Sequence, residues 1–171
     1  INFPYIAIIQ EDHILFYLDD KAQVTEPLTF YHQMDSSVGL IKLIPSADAS
    51  LLDYMAAHYD AVIIESFGVG GLPSYDDGGD YYRAVAHWIN LGKTVIMTTQ
   101  VTNEGSNMSV YEVGRNIKQE FGLLEAYDMT LEAVVTKIMW ILGQTHEPDM
   151  VKEMLYSTVN RDILYTTKWK A

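Results

Sequence analysis

A three-layer α/β domain, in which a short parallel sheet lies between two layers of helices, is the fold class the sequence predicts. Three apolar runs rich in β-branched residues carry this reading: Val38 to Ile44, Ala61 to Ile64 and Thr94 to Thr98. Near-continuous apolar strands of this kind are covered on both faces. The stretches between them repeat apolar residues at the helical period, and a helix is the crossover that parallel strands require. At 171 residues the chain can close one substantial hydrophobic core but not two.

Taken in order, Tyr5 to Ile9 and Ile14 to Tyr17 flank the polar Gln10-Glu11-Asp12-His13 and read as a hairpin of two short strands. Asp19 to Met34, with Pro27 and no clean period, is assigned no regular element. Residues 1–37 are therefore taken as a strand and linker arm, and 38–171 as the α/β domain. After the Val38 strand, Pro45, Ser46 and Asp48 are read as opening a helix whose stripe is Leu51, Leu52, Met55, Ala56 and Tyr59. The Ala61 strand runs into the glycine-rich Phe67 to Gly71 and an acidic loop ending at Asp80, where the next helix begins. That helix carries Tyr82, Val85, Ala86 and Ile89 and stops near Gly92.

Beyond the Thr94 strand and a polar loop from Val101 to Asn107, the residues Val110, Val113, Ile117 and Phe121 mark a helix ending at Gly122. Thr130 is placed to cap the next helix, with Leu131, Val134, Val135, Ile138 and Leu142 on one stripe and Met129 as a staple to Val134. Pro148 to about Tyr156 forms the last helix. This alternation is that of a flavodoxin-like fold, in which ligands bind beyond the carboxyl ends of the strands. Here that crevice is Ser66 to Asp80 and Gln100 to Tyr111.

The formal charge of −12 repels phosphate backbones and anionic lipid surfaces, so neither nucleic acid nor membrane is expected as a partner. Without cysteine there is no disulfide framework and no thiolate metal site, which permits a reducing compartment. Ile1 to Gln10 lacks the basic region and cleavage site of a signal peptide, and no apolar run reaches membrane-spanning length. A start at Ile1 rather than methionine is read as the mark of an excised or processed piece.

Gly68-Val69-Gly70-Gly71 can offer backbone amides to an anion or carboxylate, and it serves equally as a plain strand-exit turn. It is not a dinucleotide fingerprint, because the third glycine is misplaced and Leu72-Pro73 stops a helix from starting at once. Asp76, Asp77 and Asp80 lack the alternation and closing glutamate of a calcium loop, and the five histidines are scattered, so no metal site is expected. No serine or threonine stands in a nucleophile motif beside an identifiable base. Thr98, Thr99 and Gln100 end a strand where a ligand or solvent can meet them, and Tyr111 and Arg115 share a helix face.

The segments VGLIKLIP, IIESFGVGGLP and KTVIMTTQVTNEGSNMSVYEVGRNIKQEFGLLEAYDMTLEAVVTKIMWILG occur in one order, with YEVGR, Asp128-Met129-Thr130 and the helix bearing Lys137 distinctive in combination. Together, from about Val38 to Gly143, they resemble the C-terminal domain of bacterial, cytosolic-type (type I) L-asparaginases. The resemblance implies hydrolysis of L-asparagine to L-aspartate and ammonia in the cytoplasm, without a cofactor. The threonine nucleophile and its partners sit on an N-terminal domain with TGGT-like and TDG-like motifs, and neither motif occurs here. In that family an acyl-enzyme forms on the threonine and water releases the product. No catalytic residue is therefore expected in this chain, which alone is expected to be inactive.

By the same resemblance, the C-terminal domain builds a homodimer or homotetramer and completes a neighbouring subunit's active site through the loop matching Ser66 to Pro73. Ser66, Gly70 and Gly71 are the substrate-facing candidates, although relatives often carry asparagine where Gly71 stands. Some relatives bind asparagine between subunits through the loop matching Gln100 to Tyr111, which makes Thr99, Asn107 and Tyr111 candidate allosteric residues. Val101 replaces a cysteine there. Two other readings stay open: the asparaginase-like subunit of a tRNA-dependent amidotransferase, and a non-catalytic module that binds an amino acid or dimerises.

Overall fold

The structure, a computed structural model, describes residues 7–17, 27–73, 79–102, 105–110 and 112–163. Its backbone contacts divide the chain between His32 and Gln33. In the first unit β1 (Ala7–Gln10) and β2 (His13–Phe16) form the expected antiparallel hairpin, with Ala7 opposite Phe16 and Gln10 opposite His13. Glu11, in the turn, adopts the left-handed conformation (φ 57°) that closes it. The linker residues Gln33 to Ser37, expected from sequence to belong to the arm, pack with the second unit: the Asp35 amide donates to Met139 O at 2.9 Å, and the Gln144 amide group donates to Gln33 O at 2.9 Å.

The second unit is a parallel sheet of β3 (Val38–Lys42), β4 (Ala61–Ser66), β5 (Thr94–Thr99) and β6 (Leu124–Glu125), side by side in chain order. Val38 lies opposite Ala61, Ala61 opposite Thr94, and Ile96 opposite Leu124. Crossovers of one hand that step along a sheet in one direction bring their helices to the same face. Accordingly α1 (Ser50–Ala56) and α2 (Gly79–Asn90) share an apolar cluster with Ile41, Val62, Ile64, Val95 and Met97, and Phe121 of α3 (Glu112–Phe121) packs against it. The last helices, α4 (Leu131–Leu142) and α5 (Pro148–Tyr156), cover the other face over Val38, Ala61, Ile63, Ile96 and Leu124. Where chain length pointed to one core, alternation along β4 feeds two apolar clusters, one on each face of the sheet, which is why its run reads as continuously apolar. The fold class expected from sequence is the one observed.

Polar contacts lock the first helical layer together. The fully buried Trp88 of α2 donates from Nε1 to Leu52 O of α1 at 2.9 Å, and Lys93 donates to Ala56 O and Tyr59 O at 2.9 and 2.7 Å, closing the carboxyl end of α1. Thr130 caps α4 as expected, its hydroxyl accepting the Ala133 amide at 3.2 Å. Two local readings change. First, α1 begins at Ser50 rather than near Pro45, because Ser46 is left-handed (φ 68°) and interrupts any helix there; Asp48 instead accepts the Ser50 amide at 2.8 Å. Second, β6 is an element the pattern does not announce, since two residues are too few to show a period.

Candidate functional site

The carboxyl ends of β4 and β5 meet at two loops whose polar groups bond chiefly to main chain. Ser66 is fully buried, and its hydroxyl donates to Gly71 O while accepting the Gly71 amide at 3.1 Å, which closes Ser66 to Gly71 into a compact turn. The Thr99 hydroxyl donates to Gly68 O and accepts the Val101 amide at 3.0 Å. Gln100 ties three strand ends: its amide donates to Ser66 O at 2.8 Å, and its side chain donates to Leu43 O and Glu65 O at 2.6 and 3.2 Å. Gly70 needs its lack of a side chain, because φ is 111° and a Cβ would stand 3.2 Å from Met108 Cγ. A Cβ at Gly71 would meet nothing within 4 Å.

The second loop is fastened to the first and to the sheet edge behind it. The exposed Asn107 donates its amide to Val69 O at 2.5 Å, while its side chain accepts the Ser109 amide at 3.2 Å and starts the 3-10 turn Met108–Val110. The Ser106 amide donates to Tyr127 O at 2.8 Å, and the Met108 amide to Glu125 Oε1 at 2.7 Å. Structure therefore brings Ser66, Gly70, Gly71, Thr99 and Asn107 to one end of the sheet. Tyr111, Asp76 and Asp77 lie outside the described residues; Asp80 is exposed in the first turn of α2, and Arg115 is exposed on α3.

What the sequence reading misses is the buried support. Glu125, with no exposed surface, accepts the Lys118 ammonium on Oε2, and Lys118 also reaches the Tyr127 hydroxyl at 3.1 Å with that ring centroid 4.9 Å away. Burial works against the Lys118 charge, but hydrogen bonds with Glu125 and Tyr127 and the Glu125 charge outweigh it, so Lys118 titrates above its ordinary value. The Glu125 amide donates to the Tyr156 hydroxyl at 3.0 Å, and burial pushes that hydroxyl well above the usual tyrosine range. Lys118 and Glu125 flank Gly122 in sequence, and only the turn there faces them together.

Chemically, this end of the sheet can present glycine backbone and strand-exit polar groups to a ligand. Among the described residues, the Ser66 and Thr99 hydroxyls both donate to carbonyl oxygens and neither faces a general base. No group of His, Asp or Glu side chains among those residues is arranged to hold a metal, and no described helix is long and apolar enough to cross a membrane.

Residues 37–155 match the family model described as the glutaminase/asparaginase C-terminal domain. An L-asparaginase of Thermococcus kodakarensis is 33% identical over 95% of the chain and 48% of its own length. A glutamyl-tRNA(Gln) amidotransferase subunit of Pyrococcus furiosus is 28% identical over 98% of the chain and 37% of its own length. Among solved structures, the thermostable L-asparaginase from Thermococcus kodakarensis superposes with a TM-score of 0.83 at 32% identity, covering 97% of the chain and 49% of that chain. The chain thus spans half or less of the length of these relatives.

Proposed function

The chain belongs to the glutaminase/asparaginase C-terminal domain family, and from that premise we propose that it is the C-terminal part of an amidohydrolase converting L-asparagine to L-aspartate and ammonia. The observation that carries this reading is the 33% identity, over 95% of the chain, to an L-asparaginase. In the proposed division of labour, the threonine nucleophile sits on an N-terminal domain. This chain supplies the dimer or tetramer contacts and lends its glycine loop to a neighbouring subunit's site. Ser66 shapes that loop through Gly71, while the Gly70 and Gly71 backbone faces the substrate. Gly71 has open space where relatives carry an asparagine side chain, but its backbone (φ 159°) is one that side-chain-bearing residues rarely adopt, so an asparagine there would need the loop to adjust.

Thr99, Asn107 and Tyr111 are proposed for a second, regulatory asparagine site, Thr99 and Asn107 being on loops that meet at the strand exits. The bacterial cytosolic-type branch and a cytoplasmic location rest on the quoted segments and the cysteine-free composition. The test is ammonia release from L-asparagine, measured for the chain alone, for the chain mixed with an N-terminal half, and for the full-length protein. Activity is expected only where both halves are present. Turnover by the chain alone would overturn the placement of the nucleophile.

A second reading is favoured by one observation, the 28% identity over nearly the whole chain to the amidotransferase subunit of Pyrococcus furiosus. In that case the same fold would serve the asparaginase-like half of a tRNA-dependent enzyme. The charge of −12 speaks against a tRNA-contacting surface on this part.

A further inference from the structure

Loops that exit a sheet are normally its least constrained parts, with solvent rather than protein satisfying their backbone. The loop after β5 departs from this. Its Met108 amide ends on a carboxylate with no exposed surface, and the second oxygen of that carboxylate is held by the Lys118 ammonium. A buried charge of this kind persists only when it is paired and hydrogen-bonded, and an amide bonded to a charged acceptor is held more firmly than one bonded to a neutral acceptor. The same loop is joined to the glycine loop by Asn107 N to Val69 O at 2.5 Å, and to Tyr127 O by the Ser106 amide at 2.8 Å. Tyr127, which also contacts Lys118, is itself in the left-handed region (φ 51°), as is Gly105 (φ 73°) facing it.

We propose that Glu125, with Lys118 holding its charge in place, is a positioning residue that sets the loop Gly105 to Val110 and, through Asn107 and Val69, the glycine loop Ser66 to Gly71. Neither side chain touches the candidate ligand groups; both act through the backbone of the loops. The consequence for substrate rests on the reading that the glycine loop faces it. Helix α3 contributes Lys118 and β6 contributes Glu125, so the elements after the second loop decide the geometry of the loops before them.

The experiment uses the full-length protein carrying Glu125→Gln, Lys118→Met or Lys118→Arg, with amide hydrogen exchange read by mass spectrometry beside steady-state kinetics on L-asparagine. Glu125→Gln keeps the acceptor for Met108 but removes the charge, Lys118→Met removes the counter-ion, and Lys118→Arg restores it. Expected are faster exchange in 66–71 and 105–110 for the first two variants with β4 protected as before, a KM about tenfold higher with kcat within about twofold, and recovery in Lys118→Arg. Wild-type exchange in both loops in Glu125→Gln and Lys118→Met, or faster exchange spread evenly over β4 as well, would overturn the proposal. Loosened loops with an unchanged KM would keep Glu125 as the anchor and instead remove the glycine loop from the substrate site.

Discussion

Ser106 has, among the described residues, a buried hydroxyl without a hydrogen-bond partner, in a residue only 3% exposed. Leaving such a group unsatisfied costs about 1–3 kcal/mol. Ser106→Ala is therefore expected to raise the unfolding free energy by about 1 kcal/mol in thermal or urea unfolding; a lower stability would show that the hydroxyl has a water or ligand partner. One position earlier the constraint is opposite: Gly105 is left-handed, and a Cβ there would come within 2.5 Å of Tyr127 O. The polar character of this loop is readable in the sequence, as is the position of Ser66, Gly70, Gly71, Thr99 and Asn107 at strand ends. The partners of Thr99 and Asn107 are not readable, because Gly68 and Val69 belong to another segment and meet these residues only in the fold.

At the scale of elements, α4 shows how a correct pattern leaves an energy term hidden. Its stripe of Leu131, Val134, Val135, Ile138 and Leu142 is legible from period alone, and Val134, Ile138 and Leu142 are buried. Lys137 sits within that helix and is buried too, with its ammonium 2.7 Å from Asp162 and donating to Ser157 O at 2.7 Å. It fastens the segment after α5 to the sheet-covering face of α4. Lys137→Ala would take its counter-ion from Asp162, which is partly exposed and keeps the Val159 amide as a donor, so the loss is expected at the low end of the about 3–5 kcal/mol that breaking a buried pair costs. Urea unfolding should register a loss of that order, and a loss below about 1 kcal/mol would make the clamp dispensable. The start of α1 escapes the sequence reading for a related reason: Pro45, Ser46 and Asp48 are all good helix openers by type, but the left-handed backbone at Ser46 is a property of the turn into which the sheet leads.

For the whole molecule, the two cores on opposite faces of one sheet follow from four parallel strands in chain order with two helices left over after the last. The chain's charge of −12 separates the two functional readings by measurement. Electrophoretic mobility of tRNA mixed with the chain at about 0.1 M salt, where charges further apart than about 10 Å are screened, is expected to stay unchanged. A retarded band would favour the amidotransferase reading over the asparaginase one.

Sequence by itself determined the class of the fold, the order of strand and helix, the Thr130 cap and the location of the two loops at the carboxyl ends of the strands. These depend on local periodicity and on the need of parallel strands for crossovers, both of which are written along the chain. Tertiary structure alone decided that β6 exists, that Glu125 and Lys118 pair behind the second loop, that Lys137 closes on Asp162, and that Asn107 joins one loop to the other. Each of these is a contact between groups whose burial and charge pairing arise only once the sheet and its two helical layers are assembled, so no local pattern could encode it.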